Sequence, residues 1–203
     1  MELKRFLEKL SSSTPTPGGG SASALAGALS ASLVSMTAGL SLKKGKLRKE
    51  EVERIRKEAL AIQKRLLRAV DEDAKSYEAV LKAFRLTKNT EKERLVRTKA
   101  IQKAYQKATI TPQLVTRKSI QLMEYSKVLI LKGNPNAVSD AGVAAFLADA
   151  AFGGGLLNIG VNLDSMTDRT FVKKMNLLTK QLKRKRNYLM GGILNMLIGI
   201  KQS

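Results

Sequence analysis

The stretch that decides the fold is Pro15–Leu42, PTPGGGSASALAGALSASLVSMTAGLSL. From Ser11 to Leu42 there is no charged side chain, in a chain of which 27% is charged. Pro15, Pro17 and the run Gly18-Gly19-Gly20 open it, and Ala, Ser, Gly and Leu follow with no further proline. Ala and Leu are strong helix formers, and the pattern predicts a helix from Ser21, as its N-cap, to about Leu42. The glycines ahead of it let the backbone turn sharply into that helix. Small side chains on every side let other helices come close, so a central helix is expected, not a surface one. The segment is long enough to cross a bilayer. Ser21, Ser23, Ser30, Ser32, Ser35 and Thr37 spread hydroxyls around it, however, and the expectation is a protein core and no membrane.

The turn has a functional reading too. At a helix start, the backbone N–H groups of Gly18, Gly19, Gly20 and Ser21 can converge on a carboxylate or phosphate. No Lys follows the glycines, so this is not a phosphate loop, and no strand precedes them, so it is not a dinucleotide turn. A plain loop leading into a core helix fits the same composition.

The 203 residues suit one domain spanning the chain, with a sizeable core. The chain has no Cys and no His. That excludes disulfides, thiolate zinc sites, the Ser-His-Asp triad and imidazole acid–base chemistry, and no metal is expected. Proton transfer falls to carboxylates, Lys, Tyr or water. Met1–Leu10 is charged and amphipathic, without the apolar run of a secretory signal, so a cytoplasmic protein is expected. The 37 Lys and Arg against 17 Asp and Glu give +20. Such a surface attracts nucleic acid, or a substrate with several carboxylates. Aromatics are only 4%, with no basic–aromatic alternation to stack bases, so a nucleic-acid-binding role has charge but no motif behind it.

Elsewhere the periodicity is helical and no stretch alternates as a strand does. Glu50 to about Phe84 reads as one long helix whose stripe runs Ile55, Ala59, Ile62, Leu66, Val70, Tyr77, Val80, Leu81 and Phe84. The gap between Val70 and Tyr77 is filled by Asp73. Within DEDAKSY this places one carboxylate on the buried face, with Tyr77 one turn on; Asp71 lies off the stripe, where Lys75 can pair with it. A buried carboxylate without a partner has a raised pKa and is often functional; a structural one is satisfied by a helix terminus or a buried cation. Thr90 caps a further helical stretch, which Pro112 is expected to kink and which continues to Gly133. From Ala137 to about Leu163 a second small-residue helix is predicted to pack on the first. Asp140 falls in its first turn, where the helix dipole favours an anion, and Asn158 and Asn162 share one face. Gly153-Gly154-Gly155 is expected to bend or loosen it. Asp168–Tyr188 is amphipathic and basic, and Gly191–Ile200 is an apolar tail expected to dock on the core or on a partner subunit. The fold class is all-α, a multi-helix bundle with two small-residue core helices and no sheet.

Three ordered segments now combine: PTPGGGSASALAGALSASL, VDEDAKSYEAVLKAFRLTKNT and GNPNAVSDAGVAAFLADAAFGGGLLNIGVNL. Together they resemble the cyclodeaminase domain of the formiminotransferase-cyclodeaminase family, across about Leu3–Lys174. The resemblance implies a helical homodimer in folate one-carbon chemistry, converting 5-formiminotetrahydrofolate to 5,10-methenyltetrahydrofolate and ammonia. A methenyltetrahydrofolate cyclohydrolase is the alternative. No cofactor is implied beyond the tetrahydrofolate substrate, which can carry a polyglutamyl tail. The family's D-x-D-A-x-x-[FY] motif stands here as Asp71–Tyr77, and its catalytic aspartate maps to Asp73, with Asp71 in reserve. The resemblance suggests Gly18–Ser21, Lys43 and Lys44 as receivers of the acidic tail. It suggests Asp140, Asn158 and Asn162 for the aminopyrimidine edge, with Tyr77 beside the carboxylate.

Overall fold

Helical periodicity runs almost unbroken along the chain, and the computed structural model, which describes residues 2–200, is accordingly all helix. Its elements are α1 (Leu3–Leu10), α2 (Gly19–Ser41), α3 (Lys49–Phe84), α4 (Glu91–Ala108), α5 (Ile110–Lys132), α6 (Val138–Asp164, entered through a single 3-10 turn) and α7 (Arg169–Ile200). There is no strand among the described residues.

The uncharged helix α2 sits in the middle, packed by α3, α5 and α6. Ala24, Ala28, Ala31, Val34 and Ala38 are all at most 2% exposed. Their small size lets α6 approach closely, and α6 answers with Ala141, Ala144, Ala145, Ala148 and Ala151, all buried. The hydroxyls of Ser21, Ser23, Ser30, Ser32, Thr37 and Ser41 do not spoil this core because each of them finds a carbonyl. Ser30 Oγ donates to Ala144 O across the α2–α6 contact at 2.7 Å, and Thr37 and Ser41 donate to the preceding turn at 2.9 and 2.7 Å. An unpaired hydroxyl here would cost about 1–3 kcal/mol. By length and composition alone, α2 and the Pro135–Asp164 segment could each cross a membrane.

Helix α3 contributes Val52, Ile55, Ala59, Ile62 and Leu66 as its inward stripe, each at most 3% exposed. The stripe rotates outward towards the C-terminus: Val80 and Ala83 are buried, whereas Tyr77 and Phe84 are 41% and 43% exposed. Expected pairing of Asp71 with Lys75 is replaced by Arg65–Glu72 at 2.8 Å, about two turns apart on the same helix.

Four local expectations are corrected. Helix α2 begins at Gly19 with Gly18 as N-cap, three residues before the predicted cap, because Ser21 uses its hydroxyl on α3 instead. The stretch after Thr90 is two helices, not one kinked at Pro112. The break falls at Thr109, and Pro112 sits in the first turn of α5, where a missing N–H leaves no intrahelical bond unmade. The glycines at 153–155 do not interrupt α6, which is continuous through them. Finally, Gly191–Ile200 is not a separate tail but the last third of α7, which buries Leu189, Met190 and Ile193 in the core. Arg186 pairs with Asp149 of α6 and Lys185 with Glu124 of α5 at 2.6 Å, so α7 is held by charge as well as by apolar burial.

The cap of α4 stands as expected. Thr90 accepts from Glu93 N at 3.2 Å while the Glu93 carboxylate accepts from Thr90 N at 3.1 Å, a reciprocal box that satisfies two otherwise free N–H groups.

Candidate active site

The site begins with a steric fact about Gly20. A Cβ built there would lie 2.5 Å from Asp73 Cγ and 2.7 Å from its Oδ2, inside the carboxyl group. Only glycine lets the middle of α3 come this close to the start of α2. The hydroxyl of Ser21, itself fully buried, lies 2.9 Å from Val70 O and 3.0 Å from Asp73 Oδ2 and donates to them. The backbone amide of Ser21 adds a smaller pull that favours the ionised Asp73 carboxylate. The helix N-terminus that the sequence offered as an anion site therefore receives an anion from within the chain: the carboxylate of Asp73.

Asp73 is half-buried, and burial pushes its carboxyl pKa above the ordinary value, against the smaller downward pull of the Ser21 hydroxyl and amide. No Lys or Arg stands among the residues that share its cavity to reverse that shift.

Its remaining face opens into a cavity of about 300 Å³. One wall is the entry to α2: Pro15, Thr16, Gly18, Gly19 and Gly20. A second is α3, with Ser76, Tyr77 and Val80. Helix α4 adds Tyr105 and Ala108, and α6 adds Asn158, Val161 and Asn162. Phe84 and Tyr105 meet edge to face with ring centroids 6.3 Å apart, which fixes α4 against α3 at this wall. Among the described residues, Asp73 is the only charged side chain lining the cavity, in a protein of net charge +20. Asn158 donates one amide hydrogen to Gly154 O at 2.8 Å, which leaves its carbonyl and second N–H free for another partner.

The structure thus brings together Gly18, Gly19, Gly20, Asp73, Tyr77, Asn158 and Asn162, with Ser21 directly behind the carboxylate. Others lie apart. Asp71 is exposed and faces a different groove, beside Leu67 and Arg68. Lys43 and Lys44 follow the far end of α2, about 33 Å along that helix from Gly19 at 1.5 Å per residue. Asp140 is about 27 Å along α6 from Asn158 by the same rise. Ser76, Tyr105 and Val161 were not singled out from sequence as site residues. Ser76 had a usable signal, since it lies three residues after Asp73 and so on the same side of α3; Tyr105 and Val161 reach the cavity only through the packing of α4 and α6.

Known proteins are similar to this chain over nearly its whole length. The formiminotransferase-cyclodeaminase family model matches residues 2–181. A methenyltetrahydrofolate cyclohydrolase of Methylorubrum extorquens is 37% identical over 176 residues, covering 85% of this chain and 84% of that protein. A formimidoyltransferase-cyclodeaminase of Rattus norvegicus is 31% identical over 85% of this chain, which spans only 32% of the rat protein. The crystal structure of a formiminotetrahydrofolate cyclodeaminase from Thermotoga maritima superposes with a TM-score of 0.87 at 29% identity, covering 98% of this chain and 97% of that one. The chain belongs to the formiminotransferase-cyclodeaminase family, whose members are enzymes acting on folate.

Proposed function

We propose that this protein makes or breaks the one-carbon bridge between N5 and N10 of tetrahydrofolate, with Asp73 as the group that moves the proton. The observation that carries the reading is a lone carboxylate of raised pKa in an otherwise uncharged cavity. The protonated formimino group and the methenyl bridge are both cationic, amidinium-type groups. A single carboxylate beside them stabilises that charge, and its placement in a strongly basic protein gives the cavity a sign that the surface lacks.

The reaction read first is deamination of 5-formiminotetrahydrofolate. N10 attacks the formimino carbon and its proton passes to the Asp73 carboxylate. The same proton then goes to the departing nitrogen, which leaves as ammonia while the N5–CH–N10 bridge closes. A carboxyl whose pKa is raised above the ordinary value serves both steps better than an unshifted one. Ser21 holds the carboxylate by one oxygen and leaves the cavity side free. Asn158 and Asn162 supply paired donors and acceptors for the aminopyrimidine edge, and Tyr77 and Tyr105 supply flat apolar walls. The reaction needs no cofactor beyond the folate, and the expected setting is the cytoplasm.

The second reading is hydrolysis of the methenyl bridge, with Asp73 taking a proton from the attacking water. It is favoured by the likeness to the Methylorubrum extorquens cyclohydrolase, a protein of comparable length. One paired assay separates the two. Ammonia released in step with methenyl absorbance from 5-formiminotetrahydrofolate supports deamination; accelerated loss of methenyl absorbance without ammonia activity supports hydrolysis. In either case Asp73→Asn should lower turnover by about 10²–10⁴-fold. Near-wild-type turnover in the folded variant would remove Asp73 from the mechanism.

A further inference from the structure

Helix α4 is held to the rest of the protein by polar contacts along the face it turns inward. On a helix, positions i, i+3, i+4 and i+7 share one side, and in a packed helix these are normally apolar. In α4 and its C-cap they are Gln102, Tyr105, Gln106 and Thr109. Ile101 and Ala108 are the buried residues of α4, a small apolar hold for a helix of 18 residues.

Both amides reach the same short turn, 165–168, which joins α6 to α7. Gln102 spans it: its Nε2 donates to Ser165 O at 3.1 Å and its Oε1 accepts from Thr167 N at 2.8 Å. Gln106 Nε2 donates to Asp168 Oδ2 at 3.0 Å. The other oxygen of that carboxylate accepts from Phe171 N at 3.0 Å and so caps the start of α7.

Around this turn lies a small apolar cluster separate from the main core: Ile159, Leu163, Met166 and Met175, with Tyr105 packed against it. Ile159 and Leu163 stand one residue after Asn158 and Asn162. The same two turns of α6 therefore face this cluster on one side and the Asp73 cavity on the other. Tyr105 also belongs to both. Asp73, by contrast, is bonded to Ser21 of α2 beside Val70, in the main core. The cavity thus lies between two separately packed clusters, one carrying the carboxylate and the other carrying the amides and the ring.

We propose that Gln102 and Gln106 are positioning residues for the active site: by tying α4 to the α6–α7 turn, they set where the wall of Tyr105, Asn158 and Asn162 stands relative to Asp73. Neither lines the cavity itself. A hydrogen bond fixes distance and direction where apolar contact does not, so a polar seam defines geometry while adding only modest net stability. The effect on the reaction rests on the folate reading; the seam itself does not.

The test uses the full chain and two substitutions of opposite charge at one position. Gln106→Lys keeps a donor for Asp168, whereas Gln106→Glu sets a second carboxylate against it; Lys and Glu are similar helix formers. With the folate that the wild type turns over, Gln106→Glu should raise KM at least about tenfold with kcat within about twofold, because a displaced wall binds substrate and transition state less well alike. Gln106→Lys should keep both constants within about twofold of the wild type. Gln102→Met, similar in length but without either bond, should behave as Gln106→Glu does; a wild-type KM would take Gln102 out of the seam. Equal KM in the Lys and Glu variants, or a fall in kcat at unchanged KM, would overturn the positioning role. Hydrogen exchange reads the seam without folate. Amides of α4 and of 165–171 should exchange faster in Gln106→Glu than in Gln106→Lys, with those of α2 unchanged. A protein inactive on folate that keeps this contrast refutes the folate reading and leaves the seam standing; loss of the contrast refutes the seam whatever the activity.

Discussion

The chain contains two glycine triplets, and they do different work. Gly18-Gly19-Gly20 precedes and opens a helix; Gly153-Gly154-Gly155 lies within one. In the first, the glycine that matters most is Gly20, whose missing side chain leaves room for the Asp73 carboxyl. In the second, Gly154 makes room for Ser23 and Gly155 for Thr116, so that α6 can lie against α2 and α5. One triplet admits a functional group and the other admits the small packing side chains of neighbouring helices. The comparison teaches that a glycine's meaning is set by what approaches it, and that neighbour is far away in sequence.

The contrast can be broken most directly at Gly20. Gly20→Ala forces the Asp73 carboxyl to move, and displacing a catalytic group by about an ångström costs on the order of 10²-fold in turnover. Folate binding should weaken far less, and a variant with wild-type kcat would mean that Asp73 need not sit where it does. Asp73→Asn sharpens the same point through stability. Because burial raises the Asp73 pKa, the folded state holds that proton more tightly than the unfolded chain. The wild type is therefore favoured at pH below the ordinary carboxyl range and loses this contribution as pH rises through the folded value. The asparagine variant escapes that loss. Its Tm should equal or exceed that of the wild type at pH 7, with the difference closing as pH falls to about 4; a clearly lower Tm at pH 7 would show the carboxylate to be structural.

Gly154→Ala addresses the other triplet. Its Cβ would land on the Ser23 hydroxyl and 3.0 Å from Ser23 Cβ, in the interior of the α2–α6 contact. Overpacking of this kind costs about 1–3 kcal/mol, read as a lower denaturant midpoint with kcat retained. If Gly154→Ala instead reduced kcat at unchanged stability, the two triplets would not differ in kind. The smallest effect expected is that of Ser21→Ala. Its hydroxyl favours the ionised form of Asp73, so its removal raises the carboxyl pKa further. The acid limb of the kcat/KM profile should move to higher pH, with only a few-fold loss at the plateau. A shift to lower pH would contradict the role given to that hydrogen bond.

Much of this was legible beforehand, and for a common reason. Helix α2 announced itself by an uncharged small-residue run, the stripe on α3 by its step of three and four, and the inward position of Asp73 by the gap it fills in that stripe. The cap at Thr90 was visible as a local signal. Errors came where a local rule met a distant partner. Ser21 is a good N-cap in isolation, but its hydroxyl is taken by Val70 and Asp73 of α3. Tyr77 and Phe84 continue the stripe on paper, yet they emerge at the surface because the buried face of α3 has turned there to Val80 and Ala83, which pack inward in their place. The break near Pro112 was placed three residues late, since a proline disrupts the helix before it and not the one it begins.

The amino-acid sequence by itself determined the helical class, the two small-residue core helices, the exclusion of imidazole and thiol chemistry, and which carboxylate of DEDAKSY turns inward. Each follows from composition or from a 3.6-residue period, and both are properties of neighbours along the chain. Tertiary structure alone decided that Asp73 occupies the start of α2, that Asn158 and Asn162 stand across the same cavity, and that Lys43, Lys44 and Asp140 stand far from it. Those relations depend on where helices cross. Crossing points are set by side-chain volumes meeting across contacts such as Gly20–Asp73 and Gly154–Ser23, and no local periodicity encodes them.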